Sequence, residues 1–242
     1  QAAIDAVRRQ GGFGFIAHPC ERPGPFVGER TYEWTHWDVQ GYTGISIWNY
    51  MSEFKSYLTN LPASLLAVLW PAWAIRGPFP ETLALYDRLL LGGGPLPLIG
   101  ASDAHANMYS AGPLKLQVFP YRRLFDTVNL HLLLEQPLRG ELESDGESIY
   151  GAMRAGRGFV GYHVLGDPRG FTFEARAKDG RTLATYGQEL APSEGATFEI
   201  RAPRQARLRL LHDGAVVAQT HGRRLHARIE QAGVYRVEAH RW

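Results

Sequence analysis

Residues 2–9 set apolar side chains at helical spacing among good helix formers, and Gly11 and Gly12 end the run, which predicts a helix. A short apolar run at 13–17 then predicts a strand ending at His18. Residues 45–48 predict a second strand ending at Asn49, and residues 96–99 a third, buried one after the break Gly92, Gly93 and Gly94. Between them, residues 51–76 carry apolar positions on nearly every face, which predicts a buried helical segment kinked or split at Pro62 and Pro71. Pro80 opens a further helix over 81–91, closed by the glycines.

After that the pattern predicts a strand at 114–119, a short helix at 122–128 and a strand at 129–134. Ser144 and Glu147 have the capping-box spacing, so a helix is expected over 148–155, stopped by Gly156. From Phe159 onward the period changes. Strand-like runs at 171–177, 197–202, 207–211, 215–219, 225–229 and 234–239 are separated by turn pairs such as Asp179-Gly180 and Asp213-Gly214, as in a small β-sandwich. The expected organisation is an α/β part over 1–143 and a helix plus β-sandwich over 144–242.

Composition narrows the function classes. At 242 residues and 45% hydrophobic the chain can bury a sizeable core, and a formal charge of +2 implies no general affinity for polyanions. The single cysteine, Cys20, allows no intrachain disulfide and suits a reducing, cytoplasmic setting. No apolar run is long enough to span a membrane; the longest, at 65–75, is broken by Pro71. Because the chain starts at Gln1 with a helix already under way, a preceding segment, including any signal peptide, is expected upstream.

Chemistry gathers at strand ends. Asp103 and His105 follow the third strand, and if the backbone stays extended there, residues two apart point to one side and can share a divalent metal. His18 stands at the end of the first strand, where Pro19 is expected to hold it extended. Parallel α/β folds place their sites at such C-terminal strand ends.

The Ala-His-Pro strand end at 17–19, the run Gly44-Ile45-Ser46-Ile47-Trp48-Asn49 and the run Gly100-Ala101-Ser102-Asp103-Ala104-His105, in that order, resemble the PHP (polymerase and histidinol phosphatase) superfamily. The run from Trp48 to Glu53 and the β-rich tail look more like its CehA/McbA branch of carbaryl hydrolases. The resemblance implies a distorted (β/α)7 barrel, here in part, and a metal-dependent phosphoesterase, with ester or carbamate hydrolysis as variants. It implies that His18, Asp103 and His105 are metal ligands, each belonging mainly to a different ion of a cluster of up to three Zn, Mn or Fe ions. The departures are as informative. Ser46 stands where relatives often carry a Glu, and the opening His-x-His motif would precede Gln1. The chain therefore resembles the C-terminal portion of a longer hydrolase or a degenerate copy of one, prone to self-association or to pairing with the missing portion, and a non-enzymatic binding or structural module is the alternative.

Other candidates carry a blander account. His36 and Asp38 lie in a long loop at 20–40 and suit a surface polar pair beside buried tryptophans. His131 sits among leucines as a core histidine would. A Cys20–His18 nucleophile lacks a third partner. The arginines at 201, 204, 207, 209, 223, 224 and 228 interleave with apolar residues and suit the solvated face of a sheet better than a nucleic-acid surface. A small phosphoester or ester is the expected partner, with neither nucleic acid nor membrane.

Overall fold

The computed structural model describes residues 1–111, 114–191 and 195–241. They divide into two compact units, the first made of Gln1–Leu83, Leu98–Leu130 and Val160–Gly166, the second of Ala84–Pro97, His131–Phe159 and Asp167–Trp242.

The first unit opens with helix α1 (Ala2–Arg9), strand β1 (Phe15–Ile16), strand β2 (Gly44–Asn49) and helices α2 (Tyr50–Ser56), α3 (Leu61–Leu69) and α4 (Pro71–Ala74). Helix α5 (Pro80–Leu91) leads to strand β3 (Leu98–Ala101), and then come β4 (Met108–Ala111), β5 (Leu114–Gln117), α6 (Tyr121–Phe125) and β6 (Val128–Leu132). β1, β2 and β3 form a parallel sheet with β2 in the centre and Ile16, Ile45 and Leu98 in register. Among the described residues β1 and β3 remain edge strands, so no barrel closes. β1 is shorter than its apolar run promises, with two residues in the ladder.

The core of this unit forms around α2, where Tyr50 and Phe54 are each 1% exposed. Phe54 meets Phe119 at 4.8 Å between ring centroids, and Ile75, Leu124 and Val128 complete the packing. The helical stretch splits where the prolines predict. Asn60 caps α3 by accepting a hydrogen bond from the Ala63 amide at 2.9 Å with Pro62 in the first turn, and Pro71 opens α4. The expectation that this stretch is buried needs correction. Ala67 and Ile75 face the core, but Leu61, Leu65, Leu69, Trp70 and Trp73 are exposed.

The second unit contains α7 (Leu142–Arg154), which begins six residues before the predicted start. The capping box does not form, because Ser144 already lies inside the helix. Asp145 reaches back instead, accepting from the backbone amides of Arg139 and Gly140 at 2.9 and 2.8 Å. β7 (Gly158–Tyr162) pairs with β6. β8 (Thr172–Arg176), β9 (Thr182–Ala184), β10 (Thr197–His212), β11 (Ala215–Arg228) and β12 (Tyr235–His240) make one antiparallel sheet.

β10 organises that sheet. It pairs with β11 along one edge and with β8 and then β12 along the other. The runs 197–202 and 207–211, read as two strands, are one strand interrupted by a register shift between Arg201 and Ala206. Tyr235 pairs with His212 at the far end of β10, yet its ring lies 4.6 Å from that of Phe198 near the start. A straight strand would hold those positions about 45 Å apart. The shift therefore folds the sheet over, so that Ile200 from one half and Leu208 and Leu210 from the other share a single core. The opposite face carries ion pairs such as Arg209–Glu238 at 2.9 Å and Arg176–Glu199 at 2.7 Å. Within this unit, to which residues 84–91 of α5 belong, Arg236 of β12 grips Asp87 with two bonds of 2.5 and 2.7 Å. The Asp213-Gly214 turn has positive φ at both residues, 49° and 82°, as a tight primed hairpin requires.

A glycine fixes how closely β3 can be covered. A Cβ at Gly100 would come within 2.4 Å of Val160 Cγ1 and 3.2 Å of Val128 Cγ1. Gly100→Ala should therefore destabilise the chain by about 1–3 kcal/mol through overpacking against stiff β-branched side chains. Urea denaturation of Gly100→Ala, Val160→Ala and the double variant checks this. A double variant that loses less than the sum of the single losses is expected, and strict additivity would refute the close approach.

Candidate functional site at the strand ends

Each strand of the parallel sheet delivers a polar residue at its C-terminal end. His18 lies two residues beyond β1, Asn49 closes β2, and Asp103 lies two residues beyond β3. β1 and β3 flank β2, which sets about 10 Å of lateral separation between the His18 and Asp103 strands.

The local backbone differs from the expected extended form at both places. His18 has φ +31° and Asp103 φ +52°, in the left-handed region where His and Asp are tolerated better than most residues. Pro19 still excludes helix at His18, but the chain meets that constraint by turning. The His18 carbonyl accepts from the Glu21 amide at 3.2 Å, a β-turn with Pro19 at its second position. Asp103 and His105 likewise meet in irregular backbone that leaves the extended form at Asp103, with His105 Nε2 2.8 Å from Asp103 Oδ1. The His105 side chain is 59% exposed and that of Asp103 28%.

His18 lines a cavity of about 20 Å³, room for about one water molecule, together with Cys20, Glu21, Ser46, Asn49 and Glu53. His18 Nδ1 is buried without a hydrogen-bond partner. Asp103 and His105 are not among the lining residues. Among the described residues no three His, Cys, Asp or Glu side chains converge as a metal site would require. A catalytic zinc takes three protein ligands, so the Asp103–His105 pair fits a metal only as a two-donor fragment.

Two carboxylates in this cavity were not singled out from the sequence. Glu21 is 7% exposed and bound on every side: Lys55 lies 2.8 Å from Oε1, Ser52 donates to Oε1 at 2.8 Å, and the Tyr32 amide donates to Oε2 at 2.5 Å. Burial pushes its pKa up, but these hydrogen bonds, led by Lys55, outweigh it and hold the carboxyl below its ordinary value. Glu53, 3% exposed, is hydrogen-bonded by neutral groups, and the positive charge that lowers its pKa, Arg22, acts only as the smallest of the causes. Trp48 Nε1 donates to its Oε2 at 2.5 Å and Tyr57 OH to its Oε1 at 3.1 Å. Burial dominates there and raises the carboxyl to about 7, the two neutral donors lowering it only in part. One ionised and one protonatable carboxyl thus line the same small space.

Their placement follows from the junction of β2 and α2. Asn49 ends the strand and caps the helix, accepting from the Ser52 amide at 3.2 Å, so Ser52 and Glu53 enter the first turns at the sheet's C-terminal edge. That settles the role of Asn49 as a backbone cap. Glu53 stands four residues after the cap, outside the three-residue capping-box spacing, so no capping signal marks it in the sequence.

The remaining candidates stay apart. The ring of His36 lies 6.5 Å from that of Trp34 on an exposed loop, and His131 stacks on Phe159 at 4.7 Å with planes 4° apart. Cys20 lines the cavity as an unoxidised thiol. Among the described residues no helix is long and apolar enough to cross a membrane. No protein-family model, curated protein or solved structure matches the chain.

The raised Glu53 carboxyl has a sign that stability measurements can read. Below about pH 4.5 it is protonated folded and unfolded alike; between 4.5 and about 7 the unfolded chain ionises first, so stability falls as pH rises; above about 7 the loss is complete. A shift of this size corresponds to about 3 kcal/mol. Urea midpoints at pH 5 and pH 8 should therefore differ for the parent and converge for Glu53→Gln, whose amide can still accept from Trp48 and meet Tyr57. An unchanged pH slope in Glu53→Gln would assign the dependence to another group.

Proposed function

We propose that the chain carries part of a metal-dependent hydrolase site of the PHP type, acting on a phosphoester, with a carboxyl ester or carbamate as the variant substrate. The observation that carries this is the alignment of His18, Asn49 and Asp103 at the same end of three adjacent parallel strands, with His105 held against Asp103 at 2.8 Å. In this reading the three-stranded sheet is a segment of a (β/α)7 barrel, and the folded-over antiparallel sheet is an appended sandwich-like domain. A divalent metal at such a site supplies an activated water and a Lewis acid for the phosphoryl or carbonyl oxygen. His18, Asp103 and His105 are the donors this chain offers, and Asp103 orients the His105 ring. Glu53 keeps a proton up to about pH 7 beside His18's cavity, in a place that Trp48 and Tyr57 fix. Donors beyond the described residues are needed to complete the set.

A non-enzymatic module is the second reading, favoured by the absence of any three-donor group among the described residues. The two separate on metal content and turnover. The chain should bind Mn or Zn weakly and hydrolyse bis-p-nitrophenyl phosphate poorly. A version extended upstream to include an opening His-x-His should hold metal tightly and turn over, and Asp103→Ala or His105→Ala in that version should remove most of both. Metal retained in full by the Asp103→Ala, His105→Ala double variant would sink the hydrolase reading. An extended version with neither metal nor turnover would leave the module.

A further inference from the structure

The α3–α4 segment is apolar on both sides, and only one side is covered. Its inner row, Ala67, Pro71 and Ile75, is buried, Ala67 and Ile75 in the first unit's core. Its outer row is Leu61, Leu65, Leu69, Trp70 and Trp73, with exposures of 57, 54, 61, 62 and 60%. A helix apolar all round is stable in water when both faces are packed. From these exposures the five side chains leave on the order of 500 Å² of apolar surface open, at the upper end of what single chains tolerate.

We propose that this face is a two-fold interface between two copies of the chain. Three features favour a second copy. Two such faces together remove about 1,000 Å² from these side chains alone, which reaches the lower bound of a specific interface before any rim is added. No Asp, Glu, Lys or Arg occurs between Lys55 and Arg76, so the patch meets its own image without like-charge repulsion, as an isologous contact must. Leu61, Leu65 and Leu69 form a ridge with a spacing of four, and identical ridges interdigitate when helices cross at about −50°. Trp70 and Trp73 at one end of the ridge are the residue type that anchors such contacts. A lipid surface suits the patch less well. Arg76 stands at one end, but the rim of basic side chains that membrane-surface helices carry is missing from residues 56–75.

The interface is independent of the strand-end site, and its test reads mass. Sedimentation equilibrium of the full chain is expected to give twice 27.0 kDa, and Leu65→Glu combined with Leu69→Glu to give 27.0 kDa with an unchanged circular dichroism spectrum and melting profile. Should that double variant unfold, Leu65→Cys in a Cys20→Ser background carries the test: near the two-fold axis it should form an intermolecular disulfide under mild oxidation, and Leu91→Cys should not. A parent chain of 27.0 kDa at tens of micromolar, a dimer that persists in the folded double variant, or equal cross-linking at both cysteines would each overturn the proposal. So would a chain that is monomeric in solution and floats with phosphatidylcholine vesicles, since lipid would then be the occupant.

Discussion

The buried ion pair between Glu21 and Lys55 fixes the region around the strand ends. Both residues are 7% exposed, and charges that far from water persist only when paired and fully hydrogen-bonded. Here they are: Glu21 takes Lys55, Ser52 and the Tyr32 amide, while Lys55 also donates to the Arg30 carbonyl at 2.9 Å and lies 5.5 Å from the centre of the Tyr32 ring. The loop between β1 and β2, with a short 3-10 turn at Pro25–Val27 and a β-bridge between Gly24 and Glu29, is thereby tied to α2 at Glu21 and again at Arg30 and Tyr32. Glu21 also closes the turn that begins at His18, so the pair anchors the far end of that turn. Removing either charge would strand the other in a dry site, which typically costs about 3–5 kcal/mol.

The strand ends were legible because burial imposes its pattern on sequence. Short apolar runs bounded by glycines at 13–17, 45–48 and 96–99 correspond to β1, β2 and β3 within a few residues, and the breaks at Pro62 and Pro71 fall where a missing amide must interrupt a helix. Other features had no local signature. α7 starts earlier than the Ser144–Glu147 spacing indicates, and Asp145 in its first turn accepts from the Arg139 and Gly140 amides just ahead of the helix, which leaves that spacing as coincidence. The outward face of α3 has the composition of core, because composition records how apolar a face is and not whether anything covers it. Glu53 carries no mark in the sequence because its chemistry comes from burial, and although its partners Trp48 and Tyr57 are close in sequence, only the packing of α2 takes all three out of water.

β10 shows the same limit in a sheet. Its sequence reads as two strands because the alternation fails at 202–205, where Pro203 cannot donate to a ladder. The hydrogen-bonded path nonetheless continues through the shift, and the shift supplies the bend that brings Phe198 to Tyr235. A break in periodicity can thus end a strand or fold it, and the difference lies in partners far along the chain.

Two of the strand-end candidates carry backbone strain. Five non-glycine residues have positive φ among those described: His18, Asp103, Ala106, Phe119 and Asp213. Asp213 is accounted for by its hairpin turn, and Phe119 by packing, since it is 2% exposed against Phe54 and under the Arg123 guanidinium at 4.5 Å. Neither reason serves His18 and Asp103, which leave β1 and β3 at equivalent places and are not among the fully buried residues. Glycine would adopt these angles without strain, and the chain uses it freely at such positions elsewhere, for example Gly11 and Gly28. Residues held this way cost of order 1–3 kcal/mol each and persist only where the surrounding structure over-determines them. What the two share is an imidazole nitrogen without a partner in one case and a carboxylate fixed on an imidazole in the other. At His18 and Asp103 neither a hairpin nor full burial accounts for the left-handed backbone, and Ala106, 8% exposed, shows the segment after β3 adopting it again without a polar side chain, so there the backbone path itself sets the angle.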